Sequence, residues 1–236
     1  MPIDRFYTES VLKNDCEFFL EEQEFHHLYR VTRTREGEQI EIVNGKGQLA
    51  EANVERIEKR KALLKITQVI ESPPSSFKRI LIQAIPKLNR LEMIVEKGTE
   101  LGMEELWLFP GERSEKKQLP ENQLDRLKTI SISAMKQCGR LYLPSIVLHP
   151  PLQKWKTFPS PCYFGDLCPE APSLFKEYQK SPHSECVFFA IGPESGFSDN
   201  EIEIFRTHHA KGIFLNENIL RTDTAAIAAL AILGII

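Results

Sequence analysis

Two strand-to-helix turns late in the chain constrain it more than any other feature. Ile191-Gly192-Pro193-Glu194-Ser195-Gly196-Phe197-Ser198 follows the apolar run Cys186 to Ile191. Leu215-Asn216-Glu217-Asn218-Ile219-Leu220-Arg221-Thr222-Asp223-Thr224-Ala225-Ala226 follows the run Gly212 to Leu215. Each run is short enough for a buried strand, and each turn leads into a helix. Ser198 and Glu201 have the spacing of a capping box, the serine capping the first turn and the glutamate reaching back. Thr222 is placed to cap the second helix, and Asp223 suits its positive end. Two such units in succession predict a parallel α/β sheet, in which ligands sit at the carboxyl ends of the strands. Glycine lets backbone approach a ligand closely, and Pro193 stiffens the first turn. The chain contains neither G-x-G-x-x-G nor G-K-[ST], which removes the nicotinamide fingerprint and the P-loop.

Upstream, Ser72-Pro73-Pro74-Ser75-Ser76 cannot continue a helix or a central strand, so it divides the chain into residues 1–72 and 73–236. The first part reads as β-rich. Gln39 to Val43 alternates before an Asn44-Gly45 turn, and Gln48 to Ile57 and Ala62 to Val69 are further strands. His26, His27, Arg30, Arg33 and Arg35 precede the hairpin. On composition they read as a solvated face, with a phosphate-contacting patch as the alternative. The second part alternates: strand Arg79 to Ile85, helix Asn89 to Leu101 closed by Gly102, strand Glu105 to Phe109, helix Glu121 to Cys138, strand Ile146 to Leu148. Residues 150–184 are loop-rich, with one strand at Pro161 to Leu167 and one helix at Ser173 to Gln179. The apolar run Ala225 to Ile236 is too short for a bilayer, which takes about 20 residues, and reads as a buried helix suited to a subunit interface.

A net charge of -3 over 236 residues announces no nucleic-acid partner in bulk, so any basic surface must be local. Cys16, Cys138, Cys162, Cys168 and Cys186 form no C-x-x-C pair, which argues for reduced thiols in a cytoplasmic protein without a metal framework. The N-terminal residues lack the apolar core of a signal peptide, and no membrane association is expected.

Joined in order, Gly-Pro-Glu-Ser-Gly-Phe-Ser from Gly192 and Ile-Leu-Arg-Thr-Asp-Thr-Ala-Ala from Ile219 resemble the end of the SPOUT methyltransferases. Within them the chain is similar to the ribosomal RNA small subunit methyltransferase E family. Gln83-Ala84 with Lys87, Lys97 with Thr99-Glu100-Leu101-Gly102, Glu112-Arg113-Ser114, and Gln137 with Arg140 and Pro144 carry the likeness upstream. Arg5-Phe6 and His26-His27-Leu28 with Arg33 resemble the family's RNA-binding domain.

The resemblance implies an α/β SPOUT domain with a C-terminal trefoil knot, preceded by a small PUA-like β-barrel. It implies a homodimer that binds S-adenosyl-L-methionine in the knot and methylates N3 of a uridine in 16S ribosomal RNA, free or within the small ribosomal subunit. Such a reaction requires alignment of donor and acceptor rather than a metal. The cofactor residues implied are Leu167, Gly192, Pro193, Gly196, Leu215, Asn216, Ile219, Leu220 and Thr222. Arg221 would hold the uracil oxygens or the developing anion, or else brace the knot through Glu194 or Asp223. Glu194 would accept the N3 proton, or else cap a turn. Arg113, Gln137 and Arg140 would face the substrate, and Arg5, Arg30, Arg33 and Lys87 its phosphates. The chain departs from the family pattern at Ser195 and Asn216, which replace glycines, and at Asp223, which replaces glutamate. Those departures keep two other readings open: a knotted RNA-binding protein without catalysis, and a SPOUT enzyme acting on a ribose 2′-hydroxyl.

Overall fold

The computed structural model describes residues 4–168, 170–180 and 185–234. Parts of the loop-rich stretch, at 169 and 181–184, and the end of the last apolar run, at 235–236, lie outside the described residues. The chain forms two compact units. One runs to Pro74 and takes back Met135–Leu143; the other holds Ser75–Ala134 and the chain from Pro144 onward.

The first unit contains β1 (Arg5–Tyr7), β2 (Glu17–Glu21), α1 (Glu22–His26), a π-helical turn (His27–Thr32), β3 (Gln39–Val43), β4 (Gln48–Ile57) and β5 (Lys61–Glu71). Its five strands run in the order β1-β3-β4-β5-β2. Among the described residues no ladder joins β1 to β2, so the expected barrel is a sheet whose edges share one core. Phe6 from one edge and Leu20 from the other meet Leu28, Ile40, Ile42, Val54 and Leu64 there. Register shifts in the β4–β5 ladder at Glu51/Ala52 and Val54/Arg56 supply the bend that brings the edges together. The hairpin at Asn44 forms through four residues rather than two. The buried Asn44 Oδ1 accepts from the amides of Lys46 at 2.9 Å and Gln48 at 3.1 Å. β1 pairs in parallel with β3, an arrangement that short-range alternation does not announce.

The second unit is an all-parallel six-stranded sheet of β6 (Lys78–Ala84), β7 (Glu105–Phe109), β8 (Ser145–Leu148), β9 (Cys162–Gly165), β10 (Cys186–Ile191) and β11 (Lys211–Ile213), in the order β11-β9-β10-β6-β7-β8. Its helices are α2 (Leu88–Glu100), α3 (Glu121–Cys138), α4 (Leu174–Gln179), α5 (Asp199–Thr207) and α6 (Thr222–Gly234). β9 and β10 lie between covered faces and read as apolar runs, as parallel strands do, and β6 does so from Ile80 except at Gln83. α2 turns Leu91, Ile94 and Val95 inward against Leu230 and Leu233 of α6. It ends as the sequence suggests: Gly102 has φ +78°, its amide bonds Thr99 O at 3.3 Å, and the Met103 amide bonds Gly98 O at 2.8 Å. The opposite face holds an aromatic layer of Phe109, Phe164, Phe188, Phe197 and Phe205. The chain moves outward from β6 to β8 on one side and then returns to build β9, β10 and β11 on the other. Strand order therefore reverses between β10 and β6, and the carboxyl end of β10 stands at that point, where such sheets open a crevice, with the ends of β9 and β11 beyond it.

At the edge of the aromatic layer, His149 stacks on Trp107 with centroids 4.5 Å apart and lies 5.0 Å from Trp155. Burial pushes the imidazole below its ordinary 6.5, against the opposing pull of Glu105. The native ring is thus held neutral while the unfolded chain takes up the proton. The stabilisation is present above pH ~6.5 and is lost as pH falls below it. Thermal unfolding followed by tryptophan fluorescence from pH ~7 to ~5 is expected to show a steeper loss of midpoint for the native chain than for His149→Phe. Parallel curves would remove His149 as the cause.

Candidate active site

Three loops from adjacent strand ends enclose a cavity of about 530 Å³, within the range of small-molecule sites. Gly165, Asp166 and Leu167 come from the end of β9, Ile191 to Phe197 from β10, and Ile213 to Leu220 from β11. Arg113, Asp199, Ile202, Thr222 and Ala225 complete the wall.

The β10 loop is set by two glycines. A Cβ on Gly192 would lie 2.9 Å from Gly196 C and Phe197 N, so the loop folds back on itself only with glycine there. The Gly196 amide then bonds Pro193 O at 2.9 Å, and Gly196 adopts φ +70°. Ser195 and Asn216 both keep negative φ. The left-handed position of this loop falls on Gly196, so Ser195 introduces no backbone strain. Asn216 instead organises the next turn, its Oδ1 accepting from the Asn218 amide at 2.9 Å. Ser198 and Glu201 form the expected capping box at the start of α5.

The β11 loop returns to the β10 loop through Thr222. This residue begins α6, and its hydroxyl donates to Gly192 O at 2.7 Å. Gln83, fully buried in β6, directs Nε2 at Gly192 O (3.1 Å), Ile191 O (3.3 Å) and Thr222 Oγ1 (3.1 Å). The motif reading singled out Gln83 only by likeness. Its signal is an amide-bearing residue in the middle of an otherwise apolar buried strand, where a polar group must find partners.

The sequence-predicted residues separate into distinct groups. Leu167, Gly192, Pro193, Gly196, Leu215, Asn216, Ile219, Leu220 and Thr222 all line the cavity. Leu167 and Ile219 stand at its mouth, 73% and 80% exposed. Arg221 is exposed between two wall residues and makes no side-chain hydrogen bond or ion pair among the described residues. The brace considered for it is not formed. Asp223 pairs with Arg90 at 2.8 Å, and Glu194 Oε1 accepts from the Lys87 backbone amide at 2.9 Å, at the N-cap of α2. Lys87 Nζ pairs with Glu115 at 3.0 Å, and that bond raises its pKa. Arg113 lines the cavity and reaches Ser195 O at 3.4 Å.

In the first unit, Arg5 is committed to Glu41, with Nε 2.8 Å from the carboxylate, so its charge is already neutralised. Arg30 and Arg33 are exposed, Arg30 lying 5.4 Å over the Tyr29 ring and Arg33 ending the π-helical turn in left-handed backbone. Gln137 is exposed and Arg140 half-buried, both in the segment that returns to this unit.

A profile described as an RNA methyltransferase domain matches residues 73–234, and one described as an RNA methyltransferase PUA domain matches 20–67. The ribosomal RNA small subunit methyltransferase E of Aquifex aeolicus is 30% identical, covering 97% of each chain. The chain belongs to the ribosomal RNA small subunit methyltransferase E family. The Bacillus subtilis methyltransferase E is 27% identical over 95% of this chain and 92% of its own. Among solved structures, a Neisseria gonorrhoeae methyltransferase E bound to S-adenosyl methionine superposes with a TM-score of 0.84 at 27% identity, covering 97% of this chain and 95% of that one. A Legionella pneumophila structure in complex with the cofactor SAM gives 0.89 at 28%, covering 99% and 97%. In this member of the methyltransferase E family, both loops of the crevice therefore lie within the matched methyltransferase domain.

Gln83→Leu keeps the volume but strips the donors from Gly192 and Ile191. Unfolding in urea is expected to show a loss of about 1–3 kcal/mol, the usual penalty for orphaned buried acceptors. An unchanged midpoint would show that the two loops hold without it.

Proposed function

We propose that this chain transfers the methyl group of S-adenosyl-L-methionine to N3 of a uridine in 16S ribosomal RNA. The observation that carries the reading is the cavity closed by the Gly192–Ser198 and Leu215–Thr222 loops, with the uncommitted Arg221 beside it. The residues present fit the cofactor. Apolar walls from Pro193, Leu215 and Leu220 suit a purine, and backbone polar groups of tightly folded loops suit its hydrogen-bonding edge. Leu167, Gly192, Pro193, Gly196, Leu215, Asn216, Ile219, Leu220 and Thr222 would hold it. When bound, it supplies an electrophilic methyl group with its own leaving group.

The chain's residues have the remaining work. N3 of uracil carries a weakly acidic proton that is hidden in paired RNA, so the base must be extruded and its anion stabilised. Arg221 is the cation placed for that anion. Glu194 lines the cavity with Oε1 fixed on the Lys87 amide, which leaves Oε2 to accept the proton directly or through water. Arg113 faces the RNA at the cavity mouth. Lys87, Gln137 and Arg140 are assigned to the RNA, and Arg30 and Arg33 to its phosphates. Arg5 is assigned to its own sheet through Glu41.

Three further assignments belong to the same reading. The return of the chain from β11 across the end of β10 into α6 is the trefoil crossing. The protein is a homodimer, supported by α6, which is apolar all round and leaves Ile227, Ala228 and Ile232 only half-buried. It works in the cytoplasm; among the described residues no helix is long and apolar enough to cross a membrane.

The test uses small ribosomal subunits and free 16S RNA, S-adenosyl-L-methionine carrying a labelled methyl, and nucleoside analysis of the product. N3-methyluridine is expected. Label on a ribose oxygen would move the chain to the 2′-hydroxyl reading, and RNA binding without cofactor heat in calorimetry would make it a non-catalytic binder. Arg221→Ala is expected to keep cofactor affinity while kcat falls about 10²–10³-fold, as for loss of one anion-stabilising donor. Gly192→Ala is expected to weaken cofactor binding by about tenfold or more, because the added Cβ meets backbone that has nowhere to move. A Gly192→Ala protein with native affinity would place the cofactor elsewhere.

A further inference from the structure

Glu201 on α5 is a buried carboxylate, 1% exposed, and its capping role accounts for only half of it. Oε2 accepts from the Ser198 amide at 2.9 Å, and the Ser198 hydroxyl accepts from the Glu201 amide at 3.0 Å, which completes the capping box. A helix cap requires nothing more. Yet Oε1 accepts from the Glu112 amide at 2.9 Å, on a segment 89 positions earlier in the chain. One side chain thus fastens the end of the β10 loop to the turn that follows β7.

That turn has little freedom. A Cβ on Gly111 would lie 2.8 Å from Ala84 Cβ and 3.0 Å from Ser114 Oγ, so the turn sits directly on the end of β6. The Glu112 carboxylate takes donors from Asn200 at 2.7 Å and from Gln153, and Lys117 Nζ donates to Glu112 O at 2.8 Å. The turn carries Arg113 to the cavity mouth, where Nη1 reaches Ser195 O at 3.4 Å and Nη2 lies 3.9 Å from Asp199. The β10 loop is therefore tied to this turn twice: through Glu201 to the Glu112 amide just before Arg113, and through Ser195 O to the Arg113 side chain.

We infer that Glu201 is a positioning residue that sets Arg113 against the β10 loop and so couples filling of the cavity to the grip on RNA. The inference rests on the reading of the cavity as the cofactor site and of Arg113 as facing RNA. A ligand pressing on Gly192–Ser198 acts on Ser198, hence on Glu201, hence on the Gly111–Glu112 peptide that leads into Arg113. The link is made of two charge-assisted bonds to backbone amides, whose geometry is stiff and whose loss leaves buried groups unpaired. Coupling between two ligands is reciprocal, so RNA must tighten cofactor binding by the same factor as cofactor tightens RNA.

The test measures RNA affinity of the full chain with and without S-adenosylhomocysteine, which fills the site and transfers nothing. The native chain is expected to bind RNA about fivefold or more tightly with it, the low end of ordinary coupling. Glu201→Gln turns an N–H₂ towards a backbone N–H and is expected to bring the ratio to within about twofold, as is Arg113→Ala. The double variant is expected to resemble either single one, because the two act in series. Asn200→Ala loosens the same turn from the exposed side, so it serves if Glu201→Gln does not fold; it is expected to lower the ratio partway. A merely structural Glu201 would lower stability and both affinities yet leave the ratio intact, and that outcome overturns the inference. A native chain that methylates RNA but shows no ratio also overturns it and leaves the proposed function standing. A native chain that binds neither ligand overturns both.

Discussion

The Gly192 carbonyl is the point on which the crevice depends. It receives the Thr222 hydroxyl at 2.7 Å and the Gln83 amide at 3.1 Å, in a place that water does not reach freely. Three separate elements, the central strand β6, the end of β10 and the start of α6, are thereby fixed to one oxygen. The β6–β10 ladder ends here with the Gln83–Ile191 pair, and α6 joins the two strands only through this node. Buried donors and acceptors that meet in this way specify one arrangement, and Gln83 meets them through Nε2 alone, its Oε1 having no partner among the described residues. An amide offers two N–H donors, and Gln83 also lies 2.9 Å from Ala84 O, so its acceptors outnumber its donors and the Thr222 hydroxyl supplies the difference at Gly192. The tight fold of the Gly192–Gly196 turn and the return of the last segment into α6 are both consequences of that node.

Apolar packing then decides how firmly the node is held. α6 offers Ala226, Ala229, Leu230 and Leu233 to the core it shares with α2, and Arg79 Nε caps its end by donating to Leu233 O at 3.1 Å. The Arg90–Asp223 pair, with Asp223 buried, fixes the other end of α6 beside Thr222. Breaking such a pair strands a buried charge, which costs more than the pair contributes. α6 therefore has its first turn held by polar contacts and its length held by burial. The loop before it, from Leu215 to Arg221, is shaped at its turn by the Asn216 Oδ1 bond from the Asn218 amide.

Much of this was legible in the residues. The helix Glu121–Cys138 and the strand Cys186–Ile191 are read at their observed limits, because apolar periodicity is local and each is bounded by a clear stop. The Ser198–Glu201 box and the Gly102 cap follow from short-range chemistry and are present. What escaped depends on partners distant in sequence. Nothing near Arg5 says that its charge goes to Glu41, or that β1 lies parallel to β3. No composition change marks Met135–Leu143 as returning to the first unit. The hydroxyl of Thr222, read as a helix cap, serves a loop from another strand. Ser195, which stands where the family pattern has glycine, keeps negative φ because the left-handed residue is its neighbour Gly196. A motif names the residues of a loop, and only the folded backbone says which of them bears the unusual angle.

The cations around the crevice differ in what they have left to give. Lys87 is paired with Glu115, Arg90 with Asp223, and Arg113 is shared between Ser195 O and Asp199. Arg221 alone among these four has no partner among the described residues. A committed cation contributes a fixed field and holds structure, but it must break a bond to meet a new anion. An uncommitted one keeps its charge for whatever arrives, and exposure keeps the cost of leaving it unpaired low. Under the proposed reading, a base covering the site would exclude water, and the same charge would act through a much lower dielectric, so its pull on a developing anion would strengthen. The pairing of its neighbours is what leaves Arg221 in that position: Asp223 is taken by Arg90 and Glu194 is turned to the Lys87 amide, so neither nearby carboxylate draws the guanidinium away.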